Sequence, residues 1–309
     1  MEFLHDTNNN DEHKHFIWSH TDAFSISTNQ IGQSACGATA IVNACQALNI
    51  VVPPKAANNA IGTRLRNYDG SLIDYLKSRS NAGATHEDFV RCLTALQQDH
   101  VVPEDLDFKF YSYLELMIGQ PMEYFSEFCM GHLKTNGSLI LTMNLQKDPV
   151  KQGMYGWVAD AWHHQTIYGI DTSKQSFYLT NPLEMKELSS VHRVLHSASD
   201  LLIREDDLRK FITVDASSAT RESLEGIAAA LDDISPEWKR LNVGANFLNL
   251  MTTAAAPSTS GGNAGEGEGE GEGERSVLRR YLTIPAAYTA GVTVIRRGNA
   301  ENNRGSCES

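Results

Sequence analysis

The chain has 309 residues, 41% of them hydrophobic, and a net charge of −12 at pH 7. That is enough apolar content for one large domain or two, and the acidic balance argues against nucleic acid as a partner, because phosphate binding needs a basic face. Five cysteines without a C-x-x-C pair argue against a disulfide framework and a cysteine zinc cluster, and no run approaches the ~18 apolar residues of a membrane span.

Residues 1–15 are polar, lack the apolar stretch of a secretory signal and read as a disordered arm in which His13 and His15 are solvated. A reduced cytoplasmic or nuclear setting is the expectation, with no membrane as partner. From residue 16 to about 215 the pattern is mixed α+β. Its first chemical feature is Gln30-Ile31-Gly32-Gln33-Ser34-Ala35-Cys36-Gly37, followed by the small and apolar run Ala38–Leu48, which predicts a buried helix. A thiol at a helix N-terminus meets unpaired N–H groups and the positive end of the helix dipole, and both favour the thiolate. The alternative is that Cys36 is a small buried hydrophobe, as most free cysteines are. Cys45 reads as core. Further helices are expected near 58–79 and 85–98, and a strand at 138–145.

The run His163–Ile170 is β-branched and aromatic and predicts a strand; Asp171–Lys174 is a polar turn, and Ser176–Thr180 is the returning strand. Such a hairpin would bring Asn181 beside the two histidines at its start. An asparagine oxygen accepting from one ring nitrogen would fix the tautomer and leave the other nitrogen as a base. His163, six positions before Gly169, is the first candidate base, and His164, pointing to the other side of the strand, is the alternative. The competing reading is a surface hairpin with exposed histidines. Trp157 and Trp162 either wall a cleft or simply pack. His192 and His196 have zinc-helix spacing without its glutamate, and their apolar neighbours suit a strand or loop equally, so no metal is expected there.

Residues 216–251 read as a helical extension with Ile227, Leu231, Ile234 and Trp238 at helical spacing. Residues 252–275 contain alternating glycine and glutamate, which cannot bury a core and read as a flexible linker. Residues 276–297 hold two strand-like runs, Tyr281–Pro285 and Gly291–Ile295. They are too short to fold alone, so they are expected to add to the preceding domain's sheet. Residues 298–309, with Cys307, read as a disordered tail.

The ordered set Gln-x5-Cys-Gly, His-x5-Gly-Ile-Asp and a short strand ending in Asn-Pro resembles the papain-like cysteine peptidases, and is most similar to their bacteriocin-processing, C39-like branch. Gly83–Phe89, Asn136–Met143 and Asp206–Leu208 resemble that family's intervening and following elements, so the likeness spans roughly residues 20–213. It implies an α+β papain-like fold, with the nucleophile at the N-terminus of a central helix packed on an antiparallel sheet. It also implies roles. Cys36 would be the nucleophile, Gln30 with the Cys36 N–H the oxyanion hole, His163 the general base and acid, and Asn181 its orienter. The substrate would be a protein or peptide, cleaved through a thioester without metal or cofactor. Asparagine stands before the proline where the family usually has aspartate. The same residues serve deamidases and acyl-transfer enzymes. A non-catalytic binding module on the same fold is the reading from another class, and retention of all four residues favours the enzyme.

Overall fold

Alanines 38, 40 and 44 give the run after Cys36 a thin profile, so its helix can lie close against a sheet. The computed structural model describes residues 12–148, 162–212, 221–253 and 280–298. Trp157, the glycine–glutamate run and Cys307 lie outside the described residues.

In chain order the first elements are β1 (Lys14–Phe16), α1 (His20–Ile26), α2 (Cys36–Ala47), α3 (Pro54–Ile61), α4 (Leu72–Asn81) and α5 (His86–Gln98). There follow β2 (Leu106–Ser112), α6 (Tyr113–Leu116), α7 (Glu123–Lys134), β3 (Gly137–Asn144), β4 (Trp162–Asp171), β5 (Ser176–Leu179), β6 (Glu184–Glu187) and α8 (Leu188–Leu195). The last are β7 (Asp200–Arg204), α9 (Glu205–Ile212), α10 (Arg221–Asp232), α11 (Pro236–Arg240), α12 (Val243–Thr253), β8 (Tyr281–Pro285) and β9 (Gly291–Arg297). The protein is α+β with an antiparallel sheet. The chain divides into two units, one from the described parts of 1–66, 81–200 and 286–309, the other from 67–80 and 201–285.

In the first unit the sheet runs β2-β9-β3-β4-β5-β6, with β1 on β4. All eight residues of β3 are buried, so at this strand both faces of the sheet are covered. One core joins Ala38, Ile41 and Cys45 of α2 to Ile61 of α3, Phe89 and Leu93 of α5, Ile140 of β3 and Ile295 of β9. Elsewhere Phe125 of α7 stacks on Phe177 of β5 at 5.9 Å. Helix α5 starts where its sequence says it should. Thr85 accepts from the Asp88 N–H and Asp88 accepts from the Thr85 N–H, a reciprocal cap.

Several expectations need correcting. The helix expected over 58–79 is two, because Gly62 turns left-handed (φ 63) at the end of α3 and Arg64 then bridges to Gly83. The arm is not wholly without structure: Lys14–Phe16 pairs with Gly169–Asp171, whose strand extends beyond its partner β3. His15 is half-buried there, and burial lowers its pKa. Of the readings left open for His192, helix or strand or loop, it takes the first: it lies on helix α8 with its ring against the Tyr113 hydroxyl at 2.5 Å. The two C-terminal strands do not both add to the preceding domain's sheet. β9 enters the main sheet between β2 and β3, whereas β8 pairs with β7.

The second unit gathers the chain from 201 to 285 with residues 67–80, so its limits differ from the expected extension at 216–251. Leu224, Leu231, Trp238, Val243 and Phe247 are buried in it. Tyr75 stacks on Phe211 at 4.6 Å, and the Ser80 hydroxyl donates to the Pro285 carbonyl.

Candidate active site

Cys36 is the first residue of α2 and is 8% exposed. The residue before it, Ala35, has no side chain able to cap the helix, so the first-turn N–H groups gain no acceptor from that position. Gly37 is required by close approach. A Cβ there would lie 2.9 Å from Phe89 Cε1 and 3.0 Å from Ala84 Cβ, so the start of the helix sits directly on the 84–89 segment. Thr39 braces the turn, its hydroxyl donating to the Ala35 carbonyl at 2.9 Å and accepting from the Ile31 N–H at 3.2 Å.

The helix runs alongside β4. The Thr166 hydroxyl donates to the Ala40 carbonyl at 2.9 Å, and farther along Ala47 packs on the cluster containing Tyr168. Both elements therefore advance in the same direction. Traced back, Cys36 lies about 6 Å of helix before Ala40, and the two histidines lie about 7–10 Å of strand before Thr166. Cys36 and the two histidines are thus toward the same end.

At that end His163 and Asn181 meet. His163 Nε2 lies 2.6 Å from the Asn181 main-chain oxygen. A carbonyl can only accept, so Nε2 carries the hydrogen and Nδ1 is the nitrogen left to take a proton when the ring is neutral. The expected contact was to the Asn181 side chain. Instead Asn181 adopts a left-handed conformation (φ 58), which turns its carbonyl to the ring, while its amide Nδ2 is buried with no partner among the described residues.

His164 is placed differently. It shares the face of Thr166, two residues on, and is fully buried. Its Nε2–H donates to the Ala84 carbonyl at 2.7 Å and its Nδ1 accepts from the Thr142 hydroxyl at 3.1 Å. Burial pushes its pKa down to about 3. Its ring packs on Phe89 at 4.7 Å. Gln30 is exposed, and its Nε2 donates to the Gly32 carbonyl at 3.0 Å, within its own turn.

No family model matches this chain, and no curated protein matches it either. Among the described residues no group of three or more His, Cys, Asp or Glu could hold a metal, and no helix is long and apolar enough to cross a membrane.

Two residues that sequence reasoning missed also shape this end of the unit. Asn43, buried in α2, accepts from the Thr28 N–H at 2.7 Å and donates to the Thr28 carbonyl and the Thr180 hydroxyl, tying the approach to Gln30 to the end of β5. Its signal was there to read, an asparagine amid the small and apolar residues of the helix. Tyr288 had no such signal. Its ring lies 5.3 Å from that of Trp162 at an interplanar angle of 9°, and Trp162 Nε1–H donates to the Asp200 carbonyl. Among the described residues the other three cysteines are buried, which disfavours their thiolates. Burial raises the thiol pKa of Cys45 and of Cys92 to about 12, and that of Cys129 well above its usual value.

Proposed function

We propose that the protein is a papain-like cysteine enzyme of the C39-like type that transfers acyl groups, acting as a peptidase on a protein or peptide substrate. The observation that carries this reading is the His163–Asn181 bond. It leaves Nδ1 as the basic nitrogen of a histidine at the same end of the fold as a thiol on the first residue of a helix. His164, with both ring nitrogens engaged in the core, suits the base poorly.

The chemistry follows from these roles. His163 Nδ1 takes the thiol proton. Cys36 sulfur attacks the substrate carbonyl carbon, and the new oxyanion is met by the first-turn N–H of α2 and by Gln30, which must first leave the Gly32 carbonyl. As the C–N bond breaks, His163 returns the proton to the departing amine. Water, deprotonated by His163, then cleaves the thioester and releases the acid. An amine replacing water at that step gives acyl transfer, and a glutamine side chain as substrate gives deamidation, on the same residues.

Time-resolved iodoacetamide labelling with peptide mass mapping tests the reading. Cys36 should label far faster than free cysteine, and a mixed peptide pool should be cut by the wild-type protein but not by Cys36→Ser. Cys36 labelling no faster than free cysteine would overturn it.

A further inference from the structure

Tyr288 stands on the segment between β8 and β9, yet it is buried against residues 82–83, next to the segment on which α2 starts. Its hydroxyl donates to the Ala82 carbonyl. A Cβ on Gly83 would lie 2.5 Å from that hydroxyl, and Gly83 has φ 95, so glycine alone fits beneath the phenol. Gly83 is fixed from its other side by paired bonds to Arg64, at 2.8 and 3.0 Å. The next residue, Ala84, touches the Gly37 position and accepts from His164. An unbroken run of contacts therefore leads from the Tyr288 hydroxyl through residues 82–84 to the first turn of α2.

We propose that Tyr288 is a positioning residue for Cys36: its hydroxyl pins the 82–84 segment against Cys36-Gly37 and so holds the sulfur at the N-terminus of α2. The inference rests on Cys36 being the nucleophile. The charges around the phenol agree with this closeness. Burial raises its pKa most, the Cys36 thiolate adds to the rise, Arg64 opposes it, Asp88 adds to it and Arg66 opposes it. Stacking on Trp162 and packing beside His164 at 6.0 Å fix the ring, so removing the hydroxyl alone leaves the stack in place.

The test is the pH profile of iodoacetamide labelling at Cys36 in the full chain, wild type against Tyr288→Phe. Labelling of buried Cys45, Cys92 and Cys129 serves as the check on folding. A thiol released from the helix N-terminus loses the stabilisation of its charge, so its midpoint rises. We expect the Tyr288→Phe midpoint to rise by about half a unit or more, with labelling at neutral pH slowed by up to about threefold per half unit of rise, while the buried thiols stay slow. If Tyr288→Phe exposes the buried thiols, Gly83→Ala, whose methyl displaces the hydroxyl, is read in the same way and decides. An unchanged midpoint and rate, beside a fast wild-type Cys36, would overturn the role of Tyr288 alone. A slow wild-type Cys36 would overturn the enzyme reading and this role with it.

Discussion

His163 is held by the main chain of Asn181, through a 2.6 Å bond to its carbonyl, and not by the Asn181 side chain. The orienting group therefore does not depend on which side chain stands at 181, but it does depend on a backbone able to turn left-handed there.

This separates backbone from side-chain effects at residue 181. Asn181→Gly keeps both the carbonyl and the left-handed turn, so the labelling rate of Cys36 should stay within about threefold of wild type. Asn181→Val, with a β-branched side chain forced to positive φ, should cost about 1–2 kcal/mol or more and slow labelling together with the loss of the turn. Urea melts and labelling rates on the two variants check this. A large loss in Asn181→Gly would return the role to the side chain.

The two neighbouring histidines should fail in different ways. His163→Ala should fold normally and lose about a hundredfold or more in Cys36 reactivity toward a peptidyl electrophile, the usual worth of a positioned base. His164→Ala removes a buried ring with two hydrogen bonds and should cost about 3 kcal/mol of stability. Labelling kinetics and chemical denaturation on the pair separate catalysis from structure.

Acid should destabilise the fold through His164. Its folded-state pKa of about 3 lies below the ~6.5 of an unfolded histidine, so the unfolded chain binds the extra proton between those values. Stability is thus full above about pH 6.5 and falls as pH drops toward 3, by up to about 1.4 kcal/mol per unit. Asp88, held below its usual carboxylate range by Arg64 and Thr85 against the opposing effect of burial, works in the same direction lower on the scale. Denaturation midpoints between pH 7.5 and 5 should show the slope, and His164→Gln should flatten it.

Gly37→Ala should be costly despite being the mildest of substitutions. The added methyl meets the buried Phe89, Ala84 and Ile61 at 2.9–3.1 Å, so the helix start or these neighbours must shift, at about 1–3 kcal/mol. Thermal melts read the stability, and slower Cys36 labelling reads the displacement of the sulfur.

The elements that could be read from sequence were those with a local cause. Helix α2, the β4–β5 hairpin and the capped start of α5 each follow from short-range pattern or from Thr85 and Asp88 three residues apart. Residues made important by distant partners could not be read in this way. Tyr288 matters because Ala82 lies beneath it, and β1 exists because β4 extends beyond β3. The split between His163 and His164 was visible as a question of strand face. Which nitrogen each ring offers depended on the carbonyls of Asn181 and Ala84, and no side-chain pattern reports those.

Strand β9 has a consequence in time. It is bonded on both sides, to β2 and to β3, so the sheet has a gap until residues 291–297 arrive. These pairings join residues far apart in sequence, and such contacts close slowly. During synthesis, α2 and the histidine hairpin are made long before β9, which then brings Tyr288 with it. A chain interrupted before residue 286 would carry Cys36, His163 and Asn181 without a finished sheet beneath them. If Cys36 acts as proposed, its thiol gains reactivity late, when β9 enters, and a growing chain should expose no active nucleophile.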